Sequence, residues 1–515
     1  MPFGLWLVAG LLVSGLAQAL ISPPLNWVWI FPVYLAPGLW AISKLRGRRA
    51  FLGGWLMGTV ANLAIFYWLV HTIGTFSNLP LPAALGLWIL FAAFSGLYLG
   101  FFAWGFEPLR RISGAWWPVT IAAWFVACEF LNPQLFPYYQ GSCGYQVPSF
   151  FLITTVTGVP GVTFQMVLWN LVAVGWWMGR SEGWRPQDPA VRRGLTVAAG
   201  FLAVSLGVSW HRLGAIQEAE AEASSVRVAI IQPNLGMERV RRLRRERRYK
   251  GTVTTYLEMT GQALDSHPGI DAVVWPEGAI GGGDMEKEHS RVRKFFKERG
   301  VELWAGYTTI VRELGEKGRR VNSAGRIDKH GQLGQRYDKN ILLPFGEFMP
   351  GAQWFPFLRK IRGPGRFVPG DGLVLQEYPE APFCFLICYE AIRHGLVADA
   401  VGLGARLLVN VTYDAWFGDT SCPSQHLMLA ALQAAQYGVP LVRGATTGIS
   451  AVVDTRGLIT ASTEVFVEDT LVADVPLVHL PTLYGTLGDW FAWLCVAAAV
   501  GLLGWSRRRA QNQKR

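Results

Sequence analysis

Charged residues are scarce in this chain and unevenly distributed along it. They make up 16% of its 515 residues, and 51% are hydrophobic, whereas a soluble globular chain has about 25% charged residues. Neither Lys nor Arg occurs in the first 43 residues, between Arg49 and Arg110, or between Arg111 and Arg180. The basic residues separate apolar runs and do not form the stripe typical of a nucleic-acid-binding surface. We therefore expect a membrane protein that does not bind nucleic acid.

Cysteines are also few, and their spacing is not that of a metal site or a disulfide scaffold. The chain has six, at positions 128, 143, 384, 388, 422 and 495. Cys384 and Cys388 are four residues apart, but no second Cys or His pair completes a zinc site. We expect no metal and no other cofactor.

Eight apolar runs are long enough to be membrane spans, because a spanning helix needs about 20 mostly apolar residues. They cover residues 4–21, 25–43, 51–70, 82–105, 115–132, 150–178, 194–212 and 483–505. The first run lacks the basic segment of a signal peptide, and a second apolar run follows it directly. The sequence therefore predicts a retained first helix, a seven-helix transmembrane region over residues 1–213 and an eighth helix over 483–505.

The basic residues near these runs predict the orientation of the chain. They follow the even-numbered runs: Lys44, Arg46, Arg48 and Arg49 after the second, Arg110 and Arg111 after the fourth, Arg180, Arg185, Arg192 and Arg193 after the sixth, and Arg507, Arg508, Arg509, Lys514 and Arg515 after the eighth. The short loops 21–24, 71–81 and 133–150 contain neither Lys nor Arg. Basic residues near span ends stay in the cytoplasm. Both termini, with the basic tail 506–515, are thus predicted to be cytoplasmic, and the long segment after the seventh span to lie outside.

Residues 225–478 have a different pattern from the apolar runs. Short β-branched segments are predicted strands at 226–232, 272–275, 303–310, 383–387, 407–411 and 449–454. Helix-like stretches such as 286–299 and 425–437 lie between several of them. Strands that alternate with helices indicate a layered α/β domain, and about 250 residues are enough for one substantial core.

Three residues in or beside predicted strands could carry chemistry. They are Glu277 in Trp-Pro-Glu, Lys339 in Tyr-Asp-Lys, and Cys388 at the end of Phe-Cys-Phe-Leu-Ile. Each alone has a structural explanation, since a Cys in an apolar strand is usually a small buried hydrophobic residue. Together they could support acyl transfer, with Glu as base, Lys as oxyanion partner and Cys as nucleophile. His394 is six residues from Cys388, and a His brought in by the fold remains an alternative base.

Four motifs make the chain resemble the carbon–nitrogen hydrolase, or nitrilase, superfamily. They are Trp-Pro-Glu, Lys-Asn-x-Leu-x-Pro-Phe-Gly-Glu, Ile-Cys-Tyr-Glu and Asp-Ala-Trp-Phe-Gly. With eight spans, the chain is similar over nearly its whole length to the membrane-bound branch of that superfamily, the bacterial apolipoprotein N-acyltransferases.

The resemblance implies a nitrilase-like αββα sandwich on the periplasmic side of the bacterial inner membrane. It also implies ping-pong transfer of an acyl chain from a phospholipid to the free α-amine of a diacylglyceryl-cysteine lipoprotein. Glu277 is then the general base, Lys339 the oxyanion-stabilising residue and Cys388 the acylated nucleophile. The resemblance also implies three supporting residues, Glu347, Tyr389 and Glu390. The spans would form a lipid-accessible cleft below the cysteine.

Three features depart from the family pattern. Tyr413 stands where an Asn commonly precedes Asp-Ala-Trp-Phe-Gly, and Thr446-Thr447 stands where two Asn commonly precede Gly-Ile. A basic run, residues 239–250, occupies the region where a lid Trp is usual. That run could attract anionic headgroups or be a solvated helix face in which Glu238 and Glu246 pair locally. We favour the second interpretation.

Two other functions remain open from the sequence. The chain could be a membrane-tethered amidase, in which water resolves the thioester, or a catalytically silent paralogue that binds lipoproteins. The intact Glu277, Lys339 and Cys388 argue against the silent paralogue. Eight spans argue against the amidase, because a soluble amide needs no lipid cleft.

Overall fold

A computed structural model describes residues 3–77, 79–178, 189–246, 251–281, 285–311, 319–352, 354 and 367–512. The chain divides into two compact units. The first contains residues 1–70, 81–214 and 482–515, and the second contains residues 71–80 and 215–481.

The N-terminal part of the chain is helical. Its helices are α1 (Phe3–Leu20), α2 (Ala36–Lys44), α3 (Gly47–Ile65), α4 (Leu69–Ser77), α5 (Leu81–Ser95), α6 (Leu97–Ile112), α7 (Trp117–Leu131), α8 (Pro148–Phe151), α9 (Thr154–Thr157), α10 (Val159–Met178) and α11 (Pro189–Glu222). Small residues let α3 and α6 approach closely: a Cβ on Gly54 would lie 2.1 Å from the carbonyl oxygen of Leu99. Such contacts between small residues are typical of helix packing in membranes.

Several helices could cross a membrane. By length and composition, four in the described ranges qualify: Leu81–Ile112, Gly114–Leu131, Val159–Trp176 and Arg192–Glu222. Helices α3 and α4, bent by 63° relative to each other, would make a fifth if they form one span. Shorter apolar helices cover Gly4–Leu20, Pro148–Thr157 and Trp490–Gly504. Several apolar helices are thus present as predicted, while the count of eight spans stays a prediction.

Two predicted spans differ in form from one continuous helix. Within 25–43, the α-helix starts only at Ala36, with Pro37 in its first turn, where a proline costs no backbone hydrogen bond. Within 150–178, α9 ends at Gly158, which has a φ of +68°, and α10 starts at Val159. The left-handed backbone of Gly158 breaks the run, since this conformation ends helices.

The second unit contains the strands. They are β1 (Ser225–Gln232), β2 (Ala272–Ile280), β3 (Glu302–Val311), β4 (Arg319–Ile327), β5 (Tyr337–Asp338), β6 (Leu375–Gln376), β7 (Phe383–Ile387), β8 (Leu407–Thr412), β9 (Leu441–Ala445), β10 (Ala451–Val453), β11 (Ile459–Ser462) and β12 (Asp469–Pro476). Its helices are α12 (Met237–Arg245), α13 (Thr252–Ser266), α14 (Met285–Arg299), α15 (His394–Gly402) and α16 (Cys422–Tyr437). The chain ends with α17 (Leu483–Leu487) and α18 (Trp490–Asn512) in the first unit.

The strands form two six-stranded sheets, in the orders β12-β1-β2-β3-β4-β5 and β11-β10-β9-β8-β7-β6. Strands β1, β2 and β3 run parallel, as do β7, β8 and β9. The sheets face each other, since a Cβ on Gly444 would lie 3.0 Å from Val274 of the opposite sheet.

Helices cover the outer faces of both sheets. Trp275, whose neighbour Val274 points inward, packs with Tyr256 of α13 and Phe296 of α14. Helix α16 contacts β9 on the other side, where His426 meets Arg443. The four layers match the α/β architecture predicted for residues 225–478.

Candidate active site

Cys388 follows β7 directly and has a φ of +52°, a left-handed conformation that is uncommon for a residue other than glycine. Its side chain is buried, with 8% exposed. Burial and the Glu277 carboxylate raise the pKa of the thiol, against the opposing charge of Lys339, to about 12. The thiol is therefore neutral at pH 7 and needs a base before it can act as a nucleophile.

Glu277 lies in β2, and its carboxyl lines the same cavity as Cys388. Asn322 Nδ2 donates a hydrogen bond of 2.5 Å to its Oε1, whereas its buried Oε2 has no hydrogen-bond partner among the described residues. Burial raises the pKa of this carboxyl, Lys339 partly offsets that effect, and Glu347 raises it further, to about 7. A carboxyl with this pKa can both accept and return a proton near neutral pH.

Lys339 follows β5 and is almost fully buried, with 1% of its side chain exposed. Its Nζ donates to both oxygens of Glu347, at 2.9 and 2.8 Å. Glu347 also accepts a hydrogen bond of 2.7 Å from the backbone N–H of Leu343. Burial lowers the pKa of Lys339, but the charges of Glu347, Cys388 and Glu277 together raise it above its usual value. Lys339 thus stays a fixed cation beside the nucleophile.

One cavity of about 450 Å³ is lined by all four of these groups, Glu277, Lys339, Glu347 and Cys388. Much of the remaining wall is apolar, and Phe76 stacks on Trp416 there with ring centroids 4.7 Å apart. The fold therefore brings together the three residues that the sequence predicts as catalytic and one predicted supporting residue.

Glu390 is not among the residues that line this cavity. Its carboxylate is fully buried and accepts hydrogen bonds from the N–H groups of Asn340, Ile341 and Ile387 and from the Tyr337 hydroxyl, at 2.7 to 3.0 Å. These contacts join the segment after Lys339 to the strand before Cys388. Glu390 therefore links the segment that carries Lys339 to the strand that precedes Cys388.

Tyr389 is buried beside the nucleophile and faces Arg393. Arg393 Nη1 donates to its hydroxyl at 3.3 Å, and the guanidinium lies 5.5 Å from the ring centroid. Tyr389 is not among the residues that line the cavity, so its supporting role stays a prediction.

The departures from the family pattern lie close to the cavity. Tyr413 and Thr446 both line it, and the Tyr413 ring meets Trp416 edge-on with centroids 5.9 Å apart. The start of the basic run forms α12, where Arg239 pairs with Glu468 and also donates to Pro233. Residues 247–250 of that run lie outside the described residues.

Several site residues were missed in the sequence. Asn322 lies on β4, a strand that was not predicted because its sequence mixes polar and apolar residues without regular alternation. His426 was passed over within a predicted helix, yet the fold brings it to the backbone of Cys388, with Nε2 at 3.3 Å from the carbonyl oxygen. The sequence left open that the fold brings a histidine to Cys388 as an alternative base. His426 does lie near Cys388, but its Nε2 faces the backbone carbonyl oxygen.

Two family models match the chain over most of its length. Residues 14–172 match the apolipoprotein N-acyltransferase N-terminal domain, and residues 227–481 match the carbon–nitrogen hydrolase model. The apolipoprotein N-acyltransferase of Rhodopseudomonas palustris is 30% identical over 96% of this chain and 94% of its own length. That of Geobacter metallireducens is 29% identical over 97% and 96%.

Solved structures also resemble part of the chain. An amidase from Nesterenkonia sp. is 19% identical and covers 53% of this chain and 94% of its own, with a TM-score of 0.36.

Proposed function

The chain belongs to the apolipoprotein N-acyltransferase family, and on that premise we propose that Cys388 carries an acyl chain from a phospholipid to the N-terminal α-amine of a diacylglyceryl-cysteine apolipoprotein. The observation that supports this most is the single cavity that holds Cys388, Glu277 and Lys339. The chain is accordingly an acyltransferase of lipoprotein biosynthesis.

In the first half-reaction, the thiol proton of Cys388 moves to the free Oε2 of Glu277. The sulfur attacks the ester carbonyl of the phospholipid, and a C–S bond forms. Lys339 stabilises the oxyanion of the tetrahedral intermediate, since a preorganised charge in a water-poor site strongly favours developing charge. The C–O bond then breaks, Glu277 returns its proton to the leaving oxygen, and a lysophospholipid departs.

In the second half-reaction, the α-amine of the lipoprotein attacks the thioester. A C–N bond forms, and the amine gives a proton to Glu277. The C–S bond then breaks, and the proton on Glu277 restores the Cys388 thiol. No cofactor is needed for either half, because one carboxyl moves every proton.

The cellular setting follows from the family and from the sequence. We place the protein in the bacterial inner membrane with eight spans, both termini in the cytoplasm and residues 225–478 in the periplasm. Both substrates carry acyl chains, so the transmembrane region would give them lateral access from the lipid phase. In this proposal the supporting residues are Glu347, Tyr389 and Glu390.

The main competing function is a membrane-tethered amidase, in which water would discharge the acyl-enzyme. The test uses full-length protein in phospholipid nanodiscs with a diacylated lipopeptide. We expect the lipopeptide with a free α-amine to gain the mass of one acyl chain, while an N-acetylated control gains none. Release of free fatty acid with no mass gain on the amine peptide would contradict the transferase proposal and favour the amidase.

A further inference from the structure

A buried network of charged and polar side chains lies next to Cys388. Arg443 of β9 and Asp414 are both fully buried and form an ion pair of 2.7 Å. Arg443 also donates to Asn410 Oδ1 at 2.5 Å, and Asn410 Nδ2 donates to the carbonyl oxygen of Leu386 at 2.8 Å. Burying an ion pair is costly unless its remaining hydrogen bonds are satisfied, and here the other hydrogen bonds of Arg443 and Asp414 meet that requirement.

His426 connects this network to the nucleophile. Its Nδ1 lies 3.0 Å from Arg443 Nη2 and 3.1 Å from Asp414 Oδ1, and its Nε2 lies 3.3 Å from the carbonyl oxygen of Cys388. Burial and the Arg443 charge lower the pKa of the imidazole, although Asp414 acts in the opposite direction. The ring is therefore neutral at pH 7 and carries one proton.

The neighbours decide which nitrogen carries that proton. Nε2 faces an acceptor, the carbonyl oxygen of Cys388, whereas Nδ1 faces both a donor, Arg443 Nη2, and an acceptor, Asp414 Oδ1. A proton on Nδ1 would oppose the Arg443 donor and leave Nε2 against the carbonyl without a hydrogen, so the neutral ring that satisfies both nitrogens carries its proton on Nε2. Nδ1 is then an acceptor, and Arg443 Nη2 supplies its hydrogen. The same Nη2 donates to Asp414 Oδ2, so Arg443 satisfies both the imidazole and the carboxylate and keeps the tautomer fixed.

The hydrogen bond from His426 ends on a strained residue. Cys388 has a φ of +52°, and a left-handed conformation in a residue with a Cβ costs free energy and persists only where surrounding contacts hold it. The carbonyl group that accepts this hydrogen bond belongs to the same residue as the strained φ angle. A hydrogen-bond donor on helix α16 that holds this carbonyl therefore restrains the backbone turn that orients the thiol.

We propose that His426 is a positioning residue, whose Nε2–H holds the Cys388 carbonyl and thereby fixes the backbone turn that presents the thiol to Glu277. Arg443 and Asp414 hold the imidazole in the tautomer this requires. The role rests on the proposed thioester chemistry, but the position of the backbone can be measured independently of it.

Two substitutions separate positioning from general packing. In His426→Gln the amide nitrogen can reach the place of Nε2 and keep the donor to Cys388. In His426→Asn the shorter side chain reaches only the place of Nδ1 and loses that donor, although it remains polar. His330→Gln is a matched control, because His330 is exposed in the turn after β4.

The test measures two quantities on the full-length protein in phospholipid nanodiscs. The first is the rate of acyl-adduct formation on Cys388, resolved into kcat and KM for the phospholipid. The second is amide hydrogen exchange in residues 387–392. We expect His426→Asn to lower kcat by about 10²-fold, the cost of misplacing a reacting group by about 1 Å, with KM unchanged and exchange accelerated. His426→Gln and His330→Gln should keep most of the rate and the wild-type exchange.

Equal adduct rates in His426→Asn and His426→Gln, or equal exchange in the two, would overturn the proposal. Loss of activity in both, with loss of the low-pH limb of the rate profile, would also overturn it and would make His426 the general base. If the wild-type protein forms no adduct, the thioester chemistry fails, whereas the exchange comparison still decides whether His426 restrains the turn.

Discussion

At the scale of single residues, the proposed chemistry depends on raised pKa values of two acidic groups in one cavity. The Cys388 thiol has a pKa of about 12 and the Glu277 carboxyl one of about 7. Burial is the largest cause in both cases, because a low-dielectric surrounding disfavours the charged form. The thiol is thus held neutral until substrate arrives, and the carboxyl is held ready to take its proton.

The raised pKa of Glu277 predicts the pH dependence of acylation. Only the carboxylate form can accept the thiol proton, so the rate should rise as the pH increases through about 7. A carboxyl at its ordinary pKa would instead place this rise near 4.5. Measurement of the adduct rate between pH 5 and 9 checks the prediction, and a rate that is flat from pH 5 to 8 would contradict the role of Glu277 as base.

The charge on Lys339 predicts the effect of removing it. Lys339→Met keeps the length of the side chain but leaves the oxyanion without its cation and Glu347 without its ion pair. Loss of one oxyanion partner typically costs roughly 10² to 10³ in kcat, and we expect that loss in single-turnover acylation.

The control for Lys339→Met is Lys294→Met, since Lys294 is 78% exposed on α14 and pairs with Glu298 only at 3.9 Å. Acylation by the Lys294 variant should match the wild type. A Lys339 variant with wild-type kcat would show that Lys339 has no part in the chemistry.

At the scale of elements, the sequence predicted most of the parallel strands and few of the antiparallel ones. The strand predicted at 383–387 was observed as Phe383–Ile387, and that at 303–310 as Glu302–Val311. Strand Phe383–Ile387 is wholly apolar and fully buried, as expected for a strand whose two faces are both covered. Strands β4, β5, β6, β9, β11 and β12 were missed. Strands β5 and β6 have only two residues each, β11 is half exposed, and β4, β9 and β12 contain charged residues.

The order of the strands could not be read from the sequence for a related reason. Strand β12 pairs with β1 across more than 200 residues of chain, and His426 reaches Cys388 from a different helix. Contacts of this kind depend on how the sheets stack and leave no local periodicity. The three residues proposed as catalytic, which the structure places in one cavity, could be picked out because their motifs are local, whereas Asn322 and the Arg443 network were found only in the structure.

The four hydrogen bonds that Glu390 accepts join the segment after Lys339 to the strand before Cys388, and they predict the effect of replacing this carboxylate. Replacement by Gln would place an N–H₂ group among four donors and leave at least one of them unsatisfied. An unsatisfied buried polar group costs about 1–3 kcal/mol, so Glu390→Gln should lower the free energy of unfolding of the second unit by that amount. Thermal unfolding with a β-sheet signal measures the effect.

Glu298→Gln is the matched control for this stability prediction. Glu298 is 63% exposed and its ion pair with Lys294 is long, and exposed pairs contribute little. The unfolding temperature of the control should be unchanged. A Glu390 variant as stable as the control would refute the linking role assigned to Glu390.

At the scale of the whole molecule, the proposed orientation predicts on which side of the membrane residue 224 and residue 515 lie. A reporter that fluoresces only in the cytoplasm should be bright when fused after residue 515 and dark when fused after residue 224 in a truncated chain. Alkaline phosphatase, which is active only in the periplasm, should give the reverse pattern. A bright fusion after residue 224 would contradict the periplasmic placement of residues 225–478.

The central claim is that Cys388 carries the acyl chain, and its most direct test is the intact mass of the protein after incubation with phospholipid and no acceptor. We predict a gain of one acyl chain, mapped by peptide analysis to Cys388, in the wild type and in Cys422→Ala, which removes another buried cysteine. Cys388→Ala should show no gain. An unmodified wild-type protein, or an adduct that persists in Cys388→Ala, would contradict the account.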